Sequence, residues 1–98
     1  MSLKVVLRRA ARAEFDTAAF RYDAQRPGLG AQFVAEIDRA IELAATHPER
    51  FPIKHATIRQ VRARRFPYSV FYRIEPHRIV VLAIFHARRD PTIWQTRA

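Results

Sequence analysis

The chain has 98 residues, 49% of them apolar and 28% charged, which fits one globular domain over residues 1–98 rather than a disordered segment. It contains no cysteine, which excludes disulfide frameworks, thiolate metal sites and cysteine nucleophiles. The net charge of +9 is segregated, since residues 1–49 carry seven bases and seven acids whereas residues 50–98 carry eleven bases and two acids.

A basic half of this kind points to an anionic partner, either nucleic acid or an acidic protein segment. A coding bias towards arginine (sixteen against two lysines) would raise the charge without segregating it. Between Met1 and Arg12 there is no apolar run of signal-peptide length, and no later segment is long enough to span a bilayer. A cytoplasmic domain with no membrane partner is expected.

Leu3–Leu7 reads as a short strand whose place in the sheet stays open. Ala11, Phe15, Ala18, Ala19 and Tyr22 then recur at helical spacing, and Phe33, Ile37, Ile41 and Ala44 repeat the stripe. Gly28-Leu29-Gly30 separates the two stripes and Pro48 closes the second, which predicts a helical hairpin with one apolar face per helix.

Beyond Pro52 the period changes to two, predicting strands over Ile58–Arg64, Tyr68–Ile74 and Arg78–His86. The last is apolar on both faces and is expected at the centre of the sheet. Glu75-Pro76-His77-Arg78 makes a tight turn, so a symmetric register sets Tyr72 beside Val81, Val70 beside Ala83 and Tyr68 beside Phe85 on the face that receives the helices. The opposite face is expected to carry Ser69, Phe71, Arg73 and His86 with Val80, Leu82 and Ile84. The fold class is α+β, in the order βααβββ, with the hairpin on one face of a mostly antiparallel sheet.

The segments Phe66-Pro67-Tyr68-x-x-x-Tyr72-Arg73 and His86-x-Arg88-Arg89-x-Pro91-x-x-Trp94, flanking an apolar strand, resemble the RelE/ParE superfamily of toxins from type II toxin–antitoxin (plasmid stabilisation) systems. The first half agrees in order: a short strand, an alanine-rich helix with Tyr22 near its end, Gly28-x-Gly30, and Phe33 opening the second helix. The resemblance implies the fold just derived and neutralisation by a cognate acidic antitoxin tail in a toxin–antitoxin hetero-oligomer. It leaves the target open, because RelE-like members cleave messenger RNA on the ribosome and ParE-like members inhibit DNA gyrase. Arg62 and Arg88 match the positions of ribonuclease cations. Gln60, Ser69 and Trp94 stand where that branch has lysine, arginine and tyrosine, which favours gyrase inhibition by binding. A ribosome-dependent mRNA endonuclease and a non-toxic member that only binds antitoxin are the alternatives.

Metal-free RNA cleavage needs a base, an acid and phosphate-binding cations. If the chain is a ribonuclease, Arg62, His86 and Arg88 are the candidates, because an imidazole both takes and gives a proton near neutral pH. A histidine that ends a strand also serves simply to cap the sheet. Ser69 has no histidine–carboxylate partners for a hydrolase triad, and His47, His55, His77 and His86 lack the paired spacing of a metal site, so neither metal nor cofactor is expected. Arg59, Arg62, Arg64, Arg65, Arg73, Arg88, Arg89 and Trp94 form the expected target- or antitoxin-binding set, with Phe71, Leu82 and Ile84 as a shallow apolar strip. Trp94 serves equally as a lid on the core. Glu14, Asp38 and Glu42 are read as solvated residues that pair locally with arginines.

Overall fold

The computed structural model describes residues 2–98. In chain order it contains β1 (Lys4–Leu7), α1 (Arg9–Gln25), α2 (Leu29–Thr46), β2 (Ile53–His55), β3 (Ile58–Arg62), β4 (Tyr68–Glu75), β5 (Arg78–His86) and α3 (Thr92–Gln95). The strands form one sheet in the order β1-β5-β4-β3-β2, in which β1 runs parallel to β5 and the other neighbours are antiparallel. The hairpin of α1 and α2 packs on one face.

That hairpin is closed by its own side chains. Asp23, near the end of α1, accepts hydrogen bonds from the backbone N–H groups of Gly28 and Gly30 at 2.9 and 3.2 Å, and so caps the helix that follows. Gly28 has φ of +90°, the left-handed region that favours glycine. Gly30 lies within the first turn of α2, where a Cβ would stand 2.6 Å from the Ala19 carbonyl oxygen. The absent side chain sets how closely the helices approach. Phe33 then lies 5.0 to 5.3 Å from the rings of Tyr22, Phe66 and Tyr68. This aromatic knot ties the hairpin to the Phe66-Pro67-Tyr68 segment.

The predicted strands are present, and two short elements join them. β2 adds to β3 beyond a turn in which Ala56 has φ of 50°, so the middle of the sheet is β4 and not β5. α3 follows Pro91. The register of β4 with β5 begins as expected, with Tyr72 opposite Val81, and then slips: Phe71 pairs with Ala83, Val70 with Ile84, Ser69 with Phe85 and Tyr68 with His86. Leu82 is the extra residue of a β-bulge. Beyond it the symmetric register fails by one residue, which turns side chains to the other face. Ile84 therefore joins the helix-side core with Val70, Tyr72 and Val81, while Ala83 and Phe85 join Phe71, Val80 and Leu82 on the opposite face.

Tyr72 is fully buried in the helix-side core, and its hydroxyl donates to the Pro48 carbonyl at 2.7 Å. Burial pushes its pKa up to about 12, against a smaller opposing pull from Arg59. The folded state thus favours the protonated phenol. Its contribution to stability is whole below pH 10 and declines as the pH rises through the interval to about 12. Denaturant unfolding across that interval is expected to show falling stability, with a shallower fall in Tyr72→Phe.

Gly30→Ala must push the two helices apart and is expected to cost about 1–3 kcal/mol in urea unfolding. Gly28→Ala meets open space and bears only backbone strain of about 1 kcal/mol, so it should be the milder of the two.

Candidate functional site

With both long helices on one face, the other face of β3, β4 and β5 is covered only by α3. It forms an open cleft of about 650 Å³, floored by Gln60, Ser69, Phe71 and Phe85 and walled by Trp94. Lys54, Arg62 and Arg89 stand around it. Gln60 donates through Nε2 to the Ser69 hydroxyl at 2.8 Å, so the two polar groups of the floor satisfy each other. Trp94 is 6% exposed and stacks on Phe71 with centroids 3.9 Å apart and planes 16° apart. It is a lid on the second core cluster, and a ligand meets only what is left of its edge.

The expected arginines divide into two groups. Arg59 turns to the helix side and donates to the carbonyls of Glu49 and Phe51 at 3.1 and 2.8 Å, fixing the loop after α2. Arg65 donates to Gln32 at 2.8 Å and lies over the Phe66 ring. Arg73 pairs with Glu75 at 3.0 Å, and Arg78 holds the same carboxylate at 2.7 Å. Hydrogen bonds from Arg78 and then Arg73 keep the Glu75 carboxyl below the usual range. By contrast Arg62, Arg64 and Arg88 are exposed, and their side chains have no hydrogen-bond or ion-pair partner among the described residues. Of the expected set, these three are the arginines left unpaired.

His86 sits elsewhere than expected. The slipped register sets it opposite Tyr68, whose ring it meets edge-on at 5.1 Å, so it stands at the rim of the cleft rather than on its floor. Its Nδ1 accepts the Arg88 N–H at 3.0 Å, which leaves Nε2 as the ring nitrogen available to a ligand.

Arg89 and the C-terminus are held from α1. Glu14 accepts from Arg89 at 3.0 Å and from both terminal nitrogens of Arg97 at 2.9 and 3.1 Å. It also accepts the Ile84 backbone N–H at 3.1 Å, while Arg97 donates to the Leu82 carbonyl at 3.0 Å. Arg89 lies over the Phe85 ring at 4.3 Å. Glu14 does pair with arginines, as expected, but across the fold and at only 13% side-chain exposure, so it is no solvated residue. In Asp90-Pro91-Thr92, Asp90 accepts the Thr92 N–H at 3.0 Å to start α3, and bonds from Thr92 hold its carboxyl below the usual value.

The sequence profile of the ParE toxin of type II toxin–antitoxin systems, parDE, matches residues 5–91. The chain belongs to the ParE toxin family. Among solved structures, this ParE-family chain is similar to one described as the chromosomal ParDE toxin–antitoxin system from P. aeruginosa, with a TM-score of 0.77 and 19% identity over 89% of this chain and 98% of that one. It is also similar to a chain of the toxin–antitoxin complex RelBE2 from Mycobacterium tuberculosis, with a TM-score of 0.60 and 22% identity over 88% and 99% of the two chains. No curated protein sequence matches it. At these identities the two structures share the fold.

Three participants of this ParE-family site are absent from the expected site residues. Lys54 reaches the cleft from β2, too short a strand to register as periodicity. Phe85 arrives through the bulge. Arg97 had no signal at all, because nothing local marks a residue that pairs across the fold.

Removing the Glu14 carboxylate strands two arginines and the Ile84 backbone N–H. Glu14→Ala is expected to lower stability by about 3 kcal/mol in thermal or urea unfolding. The emission of Trp94, the sole tryptophan, should shift to the red before global unfolding as α3 loosens. Asp16→Ala, which breaks an exposed pair with Arg12 at 3.7 Å, should cost less than about 0.5 kcal/mol.

Proposed function

We propose that this ParE-family toxin acts by binding DNA gyrase, not by cutting RNA, and that a cognate antitoxin neutralises it with an acidic tail laid on the basic face. The observation that carries this reading is the floor of the cleft. A ribonuclease of this plan would converge cations and a proton-transfer group on one phosphate, and here the floor holds Gln60 and Ser69 bonded to each other among aromatic rings, with Lys54, Arg62, Arg89 and His86 spread around the edge. Arg62, at the cleft, and the exposed Arg64 and Arg88 are unpaired cations beside a floor that holds Phe71 and Phe85, a pairing suited to an interface in which a few buried contacts and steering charges dominate. The same cations suit antitoxin carboxylates, and the two similar structures are described as a toxin–antitoxin system and a toxin–antitoxin complex.

The test sets purified chain against purified gyrase in a DNA supercoiling assay and, in parallel, against translating ribosomes with the message ends mapped. Supercoiling is expected to be inhibited and the message left intact. Arg62→Ala with Arg88→Ala should weaken inhibition by about tenfold or more without lowering the melting temperature, because both side chains are exposed. Gyrase left untouched, together with codon-positioned cuts that vanish in His86→Gln, would establish the nuclease instead.

A further inference from the structure

The main-chain N–H groups of the turn that follows β5 are all engaged. That of Ala87 donates to the Pro67 carbonyl at 2.8 Å, that of Arg88 to His86 Nδ1 at 3.0 Å, and that of Arg89 to the His86 carbonyl at 3.2 Å. The turn therefore has no free N–H with which to cradle an anion, and what it offers the cleft is side chains. His86 is the one held most firmly. Its ring is half-buried, meets Tyr68 edge-on at 5.1 Å, and lines the cleft together with Lys54 and Arg62.

The bond from Arg88 decides what this imidazole can do. A peptide N–H can only donate, so Nδ1 must present its lone pair, and the neutral ring carries its proton on Nε2. With one nitrogen engaged and the other protonated, the ring has no lone pair left to take a proton from a ligand. The opposite tautomer would set two N–H groups against each other across 3.0 Å and break the turn. To serve as an acid the ring would need a second proton on that same Nδ1. The turn thus withdraws His86 from acid–base work and leaves it as a fixed hydrogen-bond donor facing the cleft.

The rest of the lining selects what that donor meets. Among the described residues no aspartate or glutamate lines the cleft, whereas Lys54, Arg62 and Arg89 do. A neutral donor set among cations favours an oxygen that carries charge. A carboxylate fits better than a phosphodiester, because the turn has no N–H free to help surround a tetrahedral anion, and a flat carboxylate offers one oxygen to His86 and the other to Arg62.

We propose that His86 is a specificity-determining contact of the binding site, whose Nε2–H donates to a carboxylate of the target protein. Only the identity of that target rests on the proposed gyrase inhibition; the fixed tautomer and the choice of carboxylate hold for any acidic protein partner.

Two measurements test this. Two-bond nitrogen–proton NMR correlations on the whole chain, with isotope-labelled histidine, read which nitrogen of the neutral His86 ring holds the proton. The same spectra are then followed as acetate, acetamide or dimethyl phosphate is added at equal concentration. The proton is expected on Nε2, and the Nε2 shift with acetate should exceed that with either comparator by about threefold or more and shrink in Arg62→Ala. In the supercoiling assay His86→Gln, whose amide places an N–H near the position of Nε2, should keep inhibition within about threefold, while His86→Asn, which retains an acceptor near Nδ1 and loses the outer donor, should weaken it about tenfold at an unchanged melting temperature. A ring protonated on Nδ1, a response to acetamide or dimethyl phosphate equal to that to acetate, or equal potency of the two variants would each overturn the proposal. Failure of the wild-type chain to inhibit gyrase would overturn the proposed function instead, and the spectra would still decide the tautomer and the ligand.

Discussion

β1 ends at Leu7 because the chain must turn at Arg8 to enter α1, whereas β5 continues to His86. The second half of β5 therefore has a neighbour on one side only, and its bulge at Leu82 leaves main-chain groups out of register. Buried polar groups in that position cost a few kcal/mol unless something else meets them. The Glu14 carboxylate meets the Ile84 N–H, and Arg97, held by the same carboxylate, meets the Leu82 carbonyl. One acid on the second turn of α1 thus substitutes for a strand. The consequences reach outward, since Arg97 fixes the end of the chain, α3 lies where Trp94 can stack on Phe71, and Trp94 becomes a wall of the cleft.

The segregated charge divides by chemistry once the chain is folded. Arg59 and Arg65 act as hydrogen-bond donors that hold loops, and Arg73, Arg78, Arg89 and Arg97 are neutralised by Glu75 and Glu14. Guanidinium suits these tasks because it presents several fixed donors and stays charged when partly buried. What remains unpaired is a smaller exposed set that includes Arg62, Arg64 and Arg88, of which Arg62 lines the cleft. A count of basic residues overstates the charge a partner feels, and position relative to two carboxylates corrects it.

Periodicity carried most of the fold. The stripes in α1 and α2, the glycines between them and the alternation in β3, β4 and β5 are local patterns, and each element lies where its pattern predicts. The bulge was not legible, because β5 is apolar at every position from Ile79 to Phe85 and one register reads as well as another. Its cost to the reading was concrete: Ile84 and His86 were assigned to the wrong face. The cleft suffered likewise. Gln60 and Ser69 stood out in the sequence as departures from a family pattern, but only the pairing of β3 with β4 makes them partners. Arg88 and Arg89 are adjacent in sequence and look equivalent. The fold separates them, one clamped between Glu14 and Phe85 and the other left in solvent.

The parallel pairing of the first strand with the last has a bearing on synthesis. Lys4 lies against Arg78 and Leu7 against Val81, so β1 has no partner until residues 78–81 have left the ribosome. The hairpin of α1 and α2 has its internal contacts early and can form as it emerges, while the sheet that would cover its apolar face is still being made. Glu14 waits longer still, for Arg97. The sheet and the cleft that α3 walls off are therefore completed only once residues 78–97 have been made, long after both helices of the hairpin.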